Sequence, residues 1–169
     1  RVFSVQPQFP QSHIVSVEAD LSRGLYAFNV VGLAGKAVEE ARDRVSSAIK
    51  HSGFEAPKSK NHKIVISLAP ADVKKEGPVF DLAMAVAYLL SAEEISANVE
   101  KVLLIGELGL DGTIRPVKGV LAATRAAKGA GFSSIIVPAI NAEEAALVSG
   151  IAVYGVGTLL EAVHHLTGG

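Results

Sequence analysis

The sequence contains no cysteine, no tryptophan and one methionine, and its aromatics are limited to six Phe and three Tyr. Without thiols there can be no disulfide and no thiolate metal site, a usage that fits a reducing compartment and predicts a cytoplasmic location. With so few rings the core has to be aliphatic. Neither sign of charge dominates: 16 Lys and Arg stand against 17 Asp and Glu, for a net charge of −1 and a pI of about 6.6. The surface as a whole is therefore not marked for nucleic acid or membrane. No apolar run approaches the ~20 residues that cross a bilayer, and Arg1-Val2-Phe3-Ser4 is not a signal peptide. An initiator Met is also missing, and the chain stops at Gly168-Gly169. Both ends read as cut, so the expectation is a single domain over 1–169 of a longer protein.

What is present is ample for a fold. Hydrophobic residues make up 49% of 169 positions, which excludes disorder, and a chain of this size buries about 70% of its unfolded surface. Residues 13–20 alternate, with Val15, Val17 and Ala19 on one side, as in a half-buried strand. Ser22-Arg23-Gly24 reads as a turn leading to a second strand at Phe28–Val31, and the two are expected to form a hairpin. Ala37, Val38, Ala41, Val45, Ala48 and Ile49 recur at helical spacing, with Glu40 and Arg44 paired on the outer face and Gly53 closing the helix. Val102 to Leu108 reads as a strand that turns back through Asp111-Gly112 to Thr113–Val117. A helix over roughly 118–129, a strand at Ser134–Val137, another at Ile151–Tyr154 and a last helix follow. Asn141 with Glu144, and Thr158 with Glu161, read as helix-start pairs. The order predicts an α/β fold with a mixed sheet.

The middle of the chain organises the rest. A strand, Ile64–Leu68, runs towards Gly77-Pro78, and a nearly all-apolar helix, Phe80–Leu90, runs out, buried between layers. Gly reaches backbone angles other residues avoid, and Pro suits a first helical turn. The turn is expected to be tight, with the residue after Pro78 at the positive end of the helix. That place suits a nucleophile or an anion. It holds Val79.

Other chemistries are thinly represented. His13, His51, His62, His164 and His165 show no His-x-x-x-His spacing, and adjacent helical histidines point about 100° apart, so no metal site is expected. A phosphate loop needs Gly-x-x-x-x-Gly-Lys-Ser/Thr. Gly32-Leu33-Ala34-Gly35-Lys36 has too short a spacing and no hydroxyl, and Gly155-Val156-Gly157 lacks a third glycine. The chain alone is not expected to hydrolyse ATP. Lys58, Lys60, His62 and Lys63 cluster in one loop, and Lys74-Lys75 lies near the Gly-Pro turn. These lysines are candidates for phosphate contacts, with a solvated loop as the plainer reading.

Several stretches resemble the N-terminal domain of the ComM/YifB family of magnesium-chelatase-like AAA+ proteins. They are Val30-Val31-Gly32-Leu33, Ala37 to Val45, Ser67 to Leu82, Gly106 to Gly112, Arg115 to Val120, and Val153 to Val156. The match covers nearly the whole chain. Ala34-Gly35 departs from the usual Pro-Asp and removes a helix cap. The resemblance implies a two-layer mixed-sheet sandwich of the Lon-protease and ribosomal-protein domain type. In active Lon-type proteases a serine follows Lys-Asp-Gly-Pro, and a lysine of Gly-Gly-Leu-Lys is its base. Here Val79 stands at the serine position and Leu121 aligns with the lysine, so a Ser-Lys pair is missing and the two apolar side chains are expected to fill the former site. Lys118 reads as a surface residue.

The resemblance thus implies a non-catalytic accessory domain. An AAA+ module beyond residue 169 would supply ATP and Mg²⁺ binding, and this domain would support hexamer assembly or engage DNA, through Lys58, Lys60, Lys63, Lys74 and Lys75, in recombination and natural transformation. No cofactor is expected in this fragment, and no membrane partner. The alternatives are a Lon-like peptidase with a displaced dyad, for which Ser67 and Ser91 are the nearest hydroxyls, and a pure oligomerisation module.

Overall fold

The computed structural model describes residues 1–8 and 10–168. Among the described residues nine strands and five α-helices follow one another: β1 (Val2–Gln6), β2 (His13–Arg23), β3 (Ala27–Val31), α1 (Gly35–His51), β4 (His62–Ala69), α2 (Asp81–Ser91), β5 (Val102–Leu104), β6 (Glu107–Leu108), β7 (Ile114–Arg115), α3 (Val120–Gly129), β8 (Ser134–Pro138), α4 (Ala142–Ala145), β9 (Ala152–Val156) and α5 (Leu159–Thr167). Seven strands form one mixed sheet in the order β3-β4-β2-β1-β5-β8-β9, and β6 and β7 form a separate ribbon. β2 runs antiparallel to β1 and β4, whereas β3–β4, β1–β5, β5–β8 and β8–β9 are parallel.

The two halves of the sheet differ in burial. In β4, Ile64, Ile66 and Leu68 are buried while Lys63 and Ala69 are exposed, and β2 buries Val15 and Val17 but exposes Glu18. In β8 the run Ile135, Ile136, Val137 and Pro138 is buried throughout, as a parallel strand covered on both faces requires. α2 packs on β2 and β1 and meets α1. Every residue from Asp81 to Leu89 is buried, which is why its sequence has no polar stripe.

Several expectations change. β2 and β3 do not form a hairpin, because β4 lies between them. The crossover through α1 returns the chain parallel to β3, with Phe28 opposite Ile64 and Val30 opposite Ile66, and this pairing fills the place a direct hairpin would take. β1 was not anticipated: it pairs Val2 with Val17 and Val5 with Ile14. The strand expected over 102–108 breaks after Leu104, because Gly106 leaves the sheet to hydrogen-bond the start of α2. The Asp111-Gly112 return is present, but Gly109 N–H donates to the Thr113 carbonyl at 2.8 Å, enclosing a longer loop than two residues. The region between β4 and Gly77 is likewise a loop over 70–77 rather than a tight turn.

Candidate functional site

The Gly-Pro turn is built from both sides. The buried ammonium of Lys75 donates to the Pro70 and Val73 carbonyls, which ties the loop to itself. Gly77, at φ 78°, then redirects the chain, and Pro78–Phe80 forms a 3-10 turn that continues into α2. The Val79 carbonyl accepts from Gly106 N–H at 3.0 Å, and Leu82 N–H donates to the Gly106 carbonyl at 3.1 Å. Two main-chain bonds thereby hold the first turn of the helix against the segment that leads into β6.

Asp81 reinforces the same junction. Its carboxylate accepts from Arg44 Nε at 2.6 Å and Nη2 at 3.1 Å, and from Leu108 N–H at 3.1 Å. The side chain is 1% exposed. Burial pushes the Asp81 carboxyl up to about 6, against the opposing pull of the Arg44 guanidinium. Arg44 is held above its ordinary value, chiefly by its hydrogen bond to Asp81. Arg44 therefore belongs to the α1–α2 interface, not to an outer-face pair with Glu40: a bidentate bond to a buried carboxylate outweighs a solvated pair one turn away. The sequence signal that could have found this junction is one carboxylate in the first turn of a helix with no other charge.

A cleft of about 370 Å³ opens beside the turn, with Gln6, Glu76, Val79, Glu107, Val117 and Lys118 among its lining residues and no Ser, Thr, Tyr or His. Val79 is buried. Leu121 is half-buried in the first turn of α3 and does not line this cleft. The expected filling of one site by Val79 and Leu121 together is therefore corrected: Lys118, just before the helix, lines the cleft with Val79, and Leu121 does not. The Val117 main chain that leads to it is gripped by Asn141, whose Oδ1 accepts from Val117 N–H at 2.9 Å and whose Nδ2 donates to the Val117 carbonyl at 3.2 Å.

Ser67 and Ser91 lie together in a different depression with Arg1, Glu18 and Asp20, and no lysine or histidine lines it. Ser91 Oγ donates to the Ala19 carbonyl at 3.0 Å. Neither hydroxyl has an amine or an imidazole beside it there, so the depression holds no Ser-Lys pair.

The five lysines separate. Lys58 and Lys63 are exposed. Lys60 is engaged by Glu55 at 3.1 Å and lies 3.9 Å from Glu94, and the Glu55 hydrogen bond raises its pKa. Lys74 is exposed, 3.8 Å from Glu76. Lys75 cannot meet a ligand, because its ammonium is buried and bonded to two carbonyls. Lys58 precedes β4, Lys63 is its second residue and Lys74 follows its end, so most of the strand, roughly 20 Å at about 3.3 Å per residue, lies between the two groups. Among the described residues no group of His, Asp and Glu could hold a metal ion, and no helix is long and apolar enough to cross a membrane.

Fold and site together define an α/β domain with a mixed sheet, in which a Gly-Pro turn introduces a buried helix beside a cleft lined by no hydroxyl. The chain belongs to the family described as subunit ChlI of Mg-chelatase, whose model matches residues 17–141. It is 46% identical to YifB of Salmonella typhimurium over 136 residues, 80% of this chain and 26% of that protein. It is 38% identical to the competence protein ComM of Haemophilus influenzae over 168 residues, 99% of this chain and 32% of that protein. A Lon protease of Koribacter versatilis is 29% identical over 137 residues, 76% of this chain and 16% of that protein. The chain thus spans about a third or less of the length of the curated relatives it matches.

Proposed function

We propose that this chain is a non-catalytic accessory domain of a ComM-like AAA+ ATPase, built on the two-layer sandwich of the Lon protease domain. In this reading the longer protein binds ATP and Mg²⁺ in a separate module, assembles as a hexamer in the cytoplasm and processes DNA in recombination and natural transformation. The domain serves assembly or DNA engagement and does no chemistry itself. The observation that carries the reading is the cleft beside Pro78: its lining holds Val79 and Lys118 but no hydroxyl. A Ser-Lys mechanism needs an oxygen nucleophile within reach of an amine. The likeness to ComM over 99% of the chain supports the assignment of the parent protein, and the weaker likeness to Lon proteases supports the scaffold.

The test compares the longer protein with a form lacking these residues. ATP hydrolysis should persist in both, while ring assembly or ATP-driven branch migration should weaken in the truncated form. Unchanged assembly and unchanged DNA processing would remove the proposed role. Labelling of the intact chain by a fluorophosphonate, dependent on one serine, would instead revive a peptidase.

A further inference from the structure

A second, larger groove of about 880 Å³ lies between residues 7–8 and 10–14 on one side and Lys118 to Ala130 on the other. Its lining includes His13, Lys118 and Arg125 and no Asp or Glu. Among the described residues neither Lys118 nor Arg125 is in a salt bridge, and both are exposed. The α3 wall is made of small residues, Gly119, Ala122, Ala126 and Gly129, spaced at three and four so that they share a face. Pro7 and Ile14 are among the residues of the other wall. The groove is therefore broad and apolar, with cationic side chains along it.

We propose that this groove binds a single nucleic-acid strand, with Lys118 and Arg125 on its phosphates and His13 as a further hydrogen-bonding partner. Arg125 lies five residues into α3 from Val120, roughly 7.5 Å along the axis at about 1.5 Å per residue, and Lys118 precedes the left-handed Gly119 that caps the helix. A nucleic-acid strand carries a phosphate about every 3.4 Å in a duplex, so the two cations meet different phosphates. At Gly119 the two walls meet, since a Cβ there would lie 2.7 Å from Pro7 Cβ, but Ala122, Ala126 and Gly129 leave room for sugars and bases against an apolar surface. A lone phosphate would use neither that face nor the second cation. The groove and the Val79 cleft share Pro7 and Lys118. Glu76 and Glu107 line the cleft but not the groove, so they repel a polyanion at that end and set where the track stops.

The inference rests on the proposed role in DNA engagement but moves the contact away from Lys58–Lys63 and Lys74. The experiment follows binding of a fluorescent oligo-dT to the 169-residue chain by anisotropy at stepped salt. It compares wild type with Lys118→Glu/Arg125→Glu and with Lys58→Glu/Lys63→Glu; all four positions are exposed, and far-UV circular dichroism checks each fold. Groove reversal should weaken binding at least tenfold at low salt and flatten the log–log salt slope by about 1.4, at about 0.7 per phosphate contact. The loop variant should bind within about twofold of wild type in the same assay, because its cations lie off the track. Loss in the loop variant alone would sink the groove and keep DNA engagement. No binding by wild type at any salt would sink both. Preference for phosphatidylserine vesicles over oligo-dT, lost on groove reversal, would also overturn the assignment to a nucleic-acid strand.

Discussion

Asp81 is a carboxylate at the head of a helix whose other buried residues are uncharged. It joins α1, through Arg44, to β6, through Leu108. Removing one partner of a buried pair leaves the other charge and an N–H without a mate, so Asp81→Ala should cost roughly 3–5 kcal/mol in urea unfolding. The pH dependence has a definite sign. Because the folded carboxyl is raised from 3.8 to about 6, the folded state holds the proton longer than the unfolded chain does. The contribution is complete below pH 4 and is lost as pH rises through 6. The stability of wild type relative to Asp81→Asn should therefore fall between pH 4 and pH 7, read from unfolding midpoints at each pH. Two residues earlier, Val79 is buried beside the cleft. Val79→Ser should lose about 1–2 kcal/mol of apolar burial without gaining fluorophosphonate labelling, since the amine lining that cleft belongs to the exposed Lys118 and a Ser-Lys pair needs a buried one. Labelling of that variant would show that the scaffold still positions a base.

Among the elements, the two helix-start pairs separate a cap from a mimic. Thr158 Oγ1 accepts from Glu161 N–H at 3.1 Å, and Glu161 Oε2 accepts from Gly157 N–H at 2.6 Å. The Thr158 half of the expected start of α5 is therefore present, while Glu161 reaches the N–H one residue before the cap instead of that of Thr158. Asn141 has the same spacing to Glu144 but makes no side-chain cap, because its amide is spent on Val117. Thr158→Ala should cost about 1 kcal/mol through the loss of a cap. Asn141→Ala should cost about 1–3 kcal/mol through the unsatisfied Val117 groups. Thermal melts give the size of each effect, and a helical signal unchanged by Asn141→Ala would separate the two causes. The central strand, α1, α3 and α5 were legible because each carries its period in its own residues, and α2 because an apolar run of that length suits a buried helix better than a strand. The β2–β3 pairing was not, because alternation shows that a strand has one buried face but not which strand lies beside it. Arg44 was misread for the same reason: Glu40 is four residues away along the helix, whereas Asp81 is 37 residues away along the chain.

On the scale of the molecule, two tests follow from what the chain contains. It carries no phosphate-loop motif, so the purified chain should release no phosphate from ATP above a blank, whatever the longer protein does. With no metal-ligand group among the described residues, EDTA should leave its melting temperature unchanged; a fall would reveal a bound ion. The lysines show how far one dimension reaches. All five were visible as charge, but only the fold shows that Lys75 is buried, that Lys60 is taken by Glu55, and that β4 divides the rest.

The sequence by itself determined the class of the fold, the aliphatic core, the all-apolar α2 and the apolar residue after Pro78. Those follow from composition and from periods of two and 3.6 that neighbouring residues display. Tertiary structure alone decided which strand sits between β2 and β3, that Lys118 rather than Leu121 lines the cleft of Val79, and that His13, Lys118 and Arg125 share a groove without a carboxylate. These are proximities between residues far apart in the chain. They exist only once the sheet and helices have closed around a common core, and no local pattern encodes them.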